Sequence, residues 1–216
     1  MSVKMRDAEG ATLMQKATHS GKTTILKLLV DKGGNLNAKG SYGYAPLHEA
    51  CYIGHPDVCN YLFQMKANVD ALSKNGSTPL LVAAREGHTI VCEALLRYTA
   101  DADDGGDKGW TPLSVSAREG PLEVCQTLLK YNASVHGLSG DGRYERSALQ
   151  EASEQGHADV VSLLVDLQVL KTAQKKIKLF SKTIINKTKS KKVRPKPTKL
   201  STRLTSITPS TRGNAE

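Results

Sequence analysis

Apolar side chains recur along the middle of the chain at i, i+3, i+4 and i+7, as in Val58, Tyr61, Leu62 and Met65, and again in Val91, Ala94, Leu95 and Tyr98. A stripe with that period lies along one face of an α-helix, with polar side chains around the rest. Before each stripe comes a shorter apolar segment opened by proline and closed by glycine: Pro46 to Gly54, Pro79 to Gly87, Pro112 to Gly120. Proline suits the first helical turn, where its missing N–H is not needed, and glycine accepts the positive φ that ends a helix. The pattern therefore predicts pairs of short helices joined by tight turns.

The pairs are copies of one unit. GYAPLHEACYIGH at 43–55 returns as GSTPLLVAAREGH at 76–88 and as GWTPLSVSAREGP at 109–121, a step of 33 residues. Extending the frame backwards lands on Ala17 and Gly21. Extending it forwards needs three extra residues, after which Ala152, Gly156 and His157 fall into place. Five copies are expected, at about 9–40, 41–73, 74–106, 107–140 and 141–170, preceded by an extension at 1–8. A unit this small cannot bury its own apolar face and must stack on its neighbours, so function belongs on an extended surface.

The residues Pro46-Leu47-His48-Glu49-Ala50, Gly54-His55 and Val91-Cys92 with Leu95-Leu96 resemble the ankyrin repeat, over about 160 residues of the chain. The resemblance implies an all-α solenoid of helix-turn-helix layers whose β-turns project sideways as fingers, with a concave surface used for protein recognition. The chain departs from the family pattern at several places: Ala45 stands for Thr, Leu81 and Ser114 for His, and the first and last copies lack Pro. Terminal units meet water on one face and are usually atypical, so the first and fifth copies read as degenerate caps.

Charge adds a boundary. The formal net charge is +9, but residues 1–170 carry 16 Lys or Arg against 20 Asp or Glu, while residues 171–216 carry 14 against 1. Helical apolar spacing continues past the fifth copy through Leu170, Ala173, Ile177, Phe180 and Ile184, with Lys171, Lys175, Lys176, Lys178 and Lys182 between. Residues 171–182 are thus expected to form a basic amphipathic helix, either folded back as a cap on the last copy or free to bind an acidic membrane or a calmodulin-like groove. The cap is the preferred reading. From about Ser181 the composition is too polar to offset the entropy of ordering, and a disordered basic tail is expected over 183–216. Within it Lys187, Lys189, Lys191, Lys192, Arg194 and Lys196 form a cluster of the kind read by nuclear import receptors or attracted to nucleic acid. No aromatic residue interleaves these cations, which argues against base stacking. Thr208-Pro209 and nearby Ser and Thr could accept phosphate and weaken the cluster.

The residue types that usually carry chemistry fall into the repeat period. Cys59, Cys92 and Cys125 are one repeat apart, on the order of 10 Å for packed helices, too far for a disulfide or a shared zinc. They and Cys51 read as small buried hydrophobes. His55, His88 and His157 follow the helix-closing glycine at the repeat period, and with His48 the resemblance makes them structural, tying loops by hydrogen bonds. Gly21-Lys22-Thr23-Thr24 lacks the earlier glycine of a phosphate-binding loop, because position 16 is Lys on a helix. No nucleophile or paired-carboxylate constellation stands out; no enzyme activity, cofactor or metal is expected. Met1 leads into charged residues without an apolar signal or membrane span, and a cytoplasmic or nuclear monomer is the expectation.

Two surfaces are nominated for a protein partner. Turn tips carry aromatics with no packing reason to be there: Tyr42 and Tyr44 in the second finger, Trp110 in the fourth, Arg143 and Tyr144 in the fifth, with Lys74 and Asn75 in the third. Tyr, Trp and Arg are the commonest binding anchors. On the first helices, Glu49, Val82, Val115 and Glu151 share one repeat position, and the pairs Tyr52-Ile53, Arg85-Glu86, Arg118-Glu119 and Glu154-Gln155 share another. Val82 and Val115 are read as exposed contact residues. Three functions stay open: a non-catalytic adaptor or scaffold, a nuclear factor acting on nucleic acid or chromatin through its tail, and a regulatory part of a larger protein. The chain's start with Met and its polar end weigh against the last.

Overall fold

The computed structural model describes residues 6–7, 10–139 and 145–190. Helices come in pairs: α1 (Leu13–His19) with α2 (Thr23–Asp31), α3 (Pro46–Ile53) with α4 (Pro56–Gln64), α5 (Pro79–Arg85) with α6 (Thr89–Arg97), α7 (Pro112–Glu119) with α8 (Leu122–Lys130), and α9 (Ala148–Gln155) followed by α10 (Ala158–Ser190). The first helices stack in the order α1, α3, α5, α7, α9, and α2, α4, α6 and α8 stack behind them. Among the described residues the strands are β1 (Leu138–Ser139) and β2 (Arg146–Ser147), antiparallel, with Leu138 opposite Ser147. This hairpin lies in the finger of the fifth copy.

Local chemistry sets each helix start. Thr12, Thr78, Thr111 and Ser147 accept from the backbone N–H three residues on, satisfying a donor that the helix leaves free. Ala45 has no side-chain acceptor to cap α3, and only the reverse bond of the pair is made there: the Ala45 N–H donates to His48 Nδ1 at 3.3 Å. At the other end, Gly54 (φ +86), Gly120 (φ +97) and Gly156 (φ +79) close α3, α7 and α9 in the left-handed region. In the second, third and fifth layers a histidine then ties the layer to the one before it. His55 Nε2–H donates to the His19 carbonyl at 3.1 Å, His88 to Tyr52 at 3.0 Å and His157 to Arg118 at 2.9 Å. The rings lie so close that a Cβ on Gly54 would meet His88 at 2.6 Å. Pro121 takes the histidine's place in the fourth layer, against Gly87.

The core runs as columns through the layers. Leu47, Leu80 and Leu113 form one, and Leu62, Leu95, Leu128 and Leu164 another, all essentially without exposure. Burial pushes the Cys125 thiol up to about 11, partly opposed by the Ser116 hydroxyl at 3.3 Å, and the Cys92 thiol up to about 12. Cys51 does not stand alone: burial first, and then the neighbouring Cys59 thiol, holds it well above the usual range. At the ends, neighbouring columns open to solvent. Ile25 is 45% exposed where its equivalent Val58 is 1%, and Val165 is 41% exposed where its equivalent Phe63 is 5%.

Two compact units are distinguished, 1–172 and 173–216. In the second, helix continues to Ser190 instead of giving way to a disordered segment near Ser181, and Ile177 and Leu179 are exposed on it. Lys191, Lys192, Arg194 and Lys196, with the rest of the expected tail, lie outside the described residues, as do the side chains of Lys187 and Lys189.

Candidate partner-binding groove

The first helices and the fingers together line one concave groove. Its wider part, about 770 Å³, lies over the first three layers and is bordered by Tyr42, Tyr44, Tyr52, Glu49 and Arg85. A narrower part of about 220 Å³ lies between the third and fourth layers, among Arg85, Lys108, Trp110, Val115 and Arg118. Asn75 and Arg85 border both parts, which makes the groove continuous.

Tyr42 sits at φ +56 inside a single 3-10 turn, Ser41–Gly43, and is 78% exposed. A bulky non-glycine residue there is strained by about 1 kcal/mol or more, and the surrounding finger holds it in place: the Lys74 N–H donates to the Tyr42 carbonyl at 3.1 Å. The next pair of fingers repeats the tie, Asp107 N–H to the Gly76 carbonyl at 3.0 Å. Fingers zipped in this way present their tips at fixed spacing.

Tyr44 is built in from below. Its ring stacks on His48 at 5.2 Å and 17°, and its hydroxyl accepts from Arg85 at 3.4 Å. His48 is fully buried, and burial lowers its pKa to about 4, so the ring is neutral across the physiological range. With Nδ1 accepting from Ala45, the proton is assigned to Nε2, which donates to the Ser77 carbonyl at 3.0 Å. Gln15 does the same in the first layer, taking the Thr12 N–H at 2.9 Å and donating to the Tyr44 carbonyl at 3.0 Å. In the fourth layer the Thr111 N–H donates instead to Ser139 Oγ of the next finger at 3.1 Å, and Ser114 donates to the Thr111 carbonyl within a hydroxyl cluster with Thr111 and Ser139. Trp110, half-buried, carries the Arg118 guanidinium over its ring at 5.5 Å.

Of the nominated residues, the groove brings together Tyr42, Tyr44, Asn75, Trp110 and Val115. Lys74 is exposed on its finger but does not line the groove. Val82 corrects the reading made from sequence: it has 0% exposure, because α5 is flanked by α3 and α7 and a short branched side chain does not reach past them. Glu151, at the same repeat position, is also buried, with Arg146 at 3.8 Å. Arg143 and Tyr144 lie outside the described residues. Sequence reasoning missed Lys108, Lys16 and His19, although each is one repeat from a nominated position: Asn75, Glu49 and Tyr52 respectively. Lys16 pairs with Asp7 at 2.7 Å and His19 with Glu49 at 2.7 Å.

A family model described as ankyrin repeats (three copies) matches residues 1–73 and 65–138. The chain belongs to the ankyrin-repeat family. No curated protein matches it. The match ends at residue 138; beyond it, the Ser147 cap, the Gly156 closure and the His157 tie repeat features of the matched layers. Ankyrin repeats are in general protein–protein interaction modules, and proteins built from them are typically non-enzymatic scaffolds. Among the described residues, no helix is long and apolar enough to cross a membrane.

Proposed function

We propose that this ankyrin array is a non-catalytic adaptor that holds a segment of a partner protein in the concave groove, against Tyr42, Tyr44 and Trp110. The observation that carries the reading is the strained, exposed Tyr42 at the mouth of a continuous groove in which Tyr44 is held by His48 and Arg85, and Trp110 lies under the Arg118 guanidinium. Large aromatic side chains already held in place lose little entropy when a partner covers them. The charge carried by residues 171–216 supports a second reading, in which the lysine cluster serves nuclear import or salt-sensitive binding to nucleic acid.

One capture experiment separates the two. Proteins retained from cell extract by the full chain are compared with those retained by the Tyr44→Ala/Trp110→Ala variant and by a variant with Lys191, Lys192, Arg194 and Lys196 changed to Gln. A protein kept by wild type and by the tail variant, and lost by the groove variant, is the expected result. Equal capture by the groove variant overturns the groove reading, and loss in the tail variant alone moves the interaction to the tail.

A further inference from the structure

Cations on or next to the first helices meet acids in the first, third and fifth layers. Lys16 meets Asp7, Arg85 meets Glu86 at 3.0 Å, and in the fifth layer Arg146 meets Glu151 and Glu154. In the fourth layer Lys108 and Arg118 both border the narrower part of the groove, and among the described residues neither has a carboxylate within ion-pair distance. Three cations, with Arg85, face one carboxylate there, that of Glu119. The aspartates of the same finger do not fill the gap. Asp101 accepts from the Asp103 N–H, Asp103 from Ser134 and Asp104 from Gly106, and Asp107 packs against Gly76; none of the four is among the residues lining the hollow or forms an ion pair with Lys108 or Arg118. The excess of positive charge stands out because residues 1–170 are net acidic.

We infer that the hollow between the third and fourth layers receives a carboxylate-rich peptide segment, with an acidic side chain between Lys108 and Arg118 and a neighbouring apolar side chain on Trp110. This rests on the groove reading above and adds the chemistry of the occupant. The guanidinium of Arg118 lies over the Trp110 ring at 5.5 Å, so the ring fixes its position while no carboxylate among the described residues occupies its N–H donors. A guanidinium held on an aromatic face is suited to paired hydrogen bonds with a carboxylate. Lys108 supplies a second, more mobile charge from the finger. An acidic segment continuing along the groove passes Arg85 and reaches Tyr44, whose hydroxyl that arginine already contacts.

Trp110 is the single tryptophan of the chain and lies in the hollow itself, so its fluorescence reports occupancy there and not on the tail. The full chain is titrated with a random copolymer of glutamate and tyrosine at an excitation wavelength that tyrosine does not absorb. A lysine–tyrosine copolymer and an oligothymidine serve as controls. The expected result is a saturable change with the glutamate copolymer that weakens with salt, none with the lysine copolymer, and a much weaker response to oligothymidine. Affinity in Lys108→Gln/Arg118→Gln falls by about tenfold or more, while Arg118→Lys, which keeps the charge, stays closer to wild type. Both substituted side chains are exposed. Equal titration of wild type and the double variant overturns the inference. So does an equal response to oligothymidine, which would make the hollow a general anion site. If the double variant titrates like wild type while Tyr44→Ala/Trp110→Ala still loses its protein partner, the groove reading stands and its acidic occupant falls.

Discussion

Replacing His48 by Gln isolates the cost of keeping one ring neutral inside the array. The first layer already uses glutamine at this position and makes both of the equivalent bonds, to the cap N–H and to the next layer's carbonyl. His48→Gln therefore keeps the connections and removes the titrating group, along with a stacking contact to Tyr44 that does not vary with pH. Burial depresses the pKa of His48 from 6.5 to about 4. As pH falls below 6.5, the unfolded chain takes up a proton that the folded chain refuses, so stability from this group is complete above 6.5 and drains away toward 4. Linkage puts the loss at about 2 kcal/mol at pH 5 and about 3 kcal/mol at pH 4. Urea unfolding of both proteins, followed by far-ultraviolet circular dichroism at pH 7 and at pH 5, reads the effect directly. Carboxylates and other histidines titrate in both chains and cancel in the difference. Wild type should lose about 2 kcal/mol more than His48→Gln between the two pH values; parallel losses would refute the assignment of a buried, neutral His48.

The glycine turns and the cysteines give two further predictions. Gly54→Ala should destabilise clearly more than Gly156→Ala: both residues have positive φ, worth about 1–2 kcal/mol against any side chain. The added Cβ at Gly54, however, lies 2.6 Å from the His88 ring and breaks its bond to Tyr52, adding about 1 kcal/mol or more. Nothing lies within 4 Å at Gly156, and equal unfolding midpoints would contradict the histidine tie. All four thiols are fully buried and three are held in the thiol form by burial, so DTNB at pH 8 should label none on the timescale of mixing and all four in urea. Rapid reaction of one thiol in the folded protein would show that its layer opens locally.

Layer count, helix starts and helix ends are legible in the chain because they depend on local chemistry. A proline at the first turn, a threonine one residue before it and a glycine at positive φ act within a few residues of themselves, and the 33-residue step turns those local rules into an architecture. The resemblance to the ankyrin repeat implied that His55, His88 and His157 are structural, and each reaches a carbonyl at one fixed place in the preceding layer. Helix length at the end of the chain was less legible. Lysine-rich sequence has good helix propensity and little apolar content, and α10 continues to Ser190 past the point where composition suggested disorder.

The groove needed the third dimension. Repeat spacing shows that Glu49, Val82, Val115 and Glu151 occupy one column, yet only packing decides that Val82 and Glu151 are buried while Val115 borders the hollow. Exposure depends on how far a side chain reaches past the layers on either side, and those layers differ in sequence. The pairing of charges is decided in the same way: Lys16, Arg85 and Arg146 find acids in their own or adjoining turns, whereas Lys108 and Arg118 find none among the described residues. Sequence alone determined that thin helical layers must stack, because no single layer can bury its apolar face. The tertiary structure decided which side chains remain available on the stacked surface, because availability is set by neighbours that are a whole repeat away along the chain.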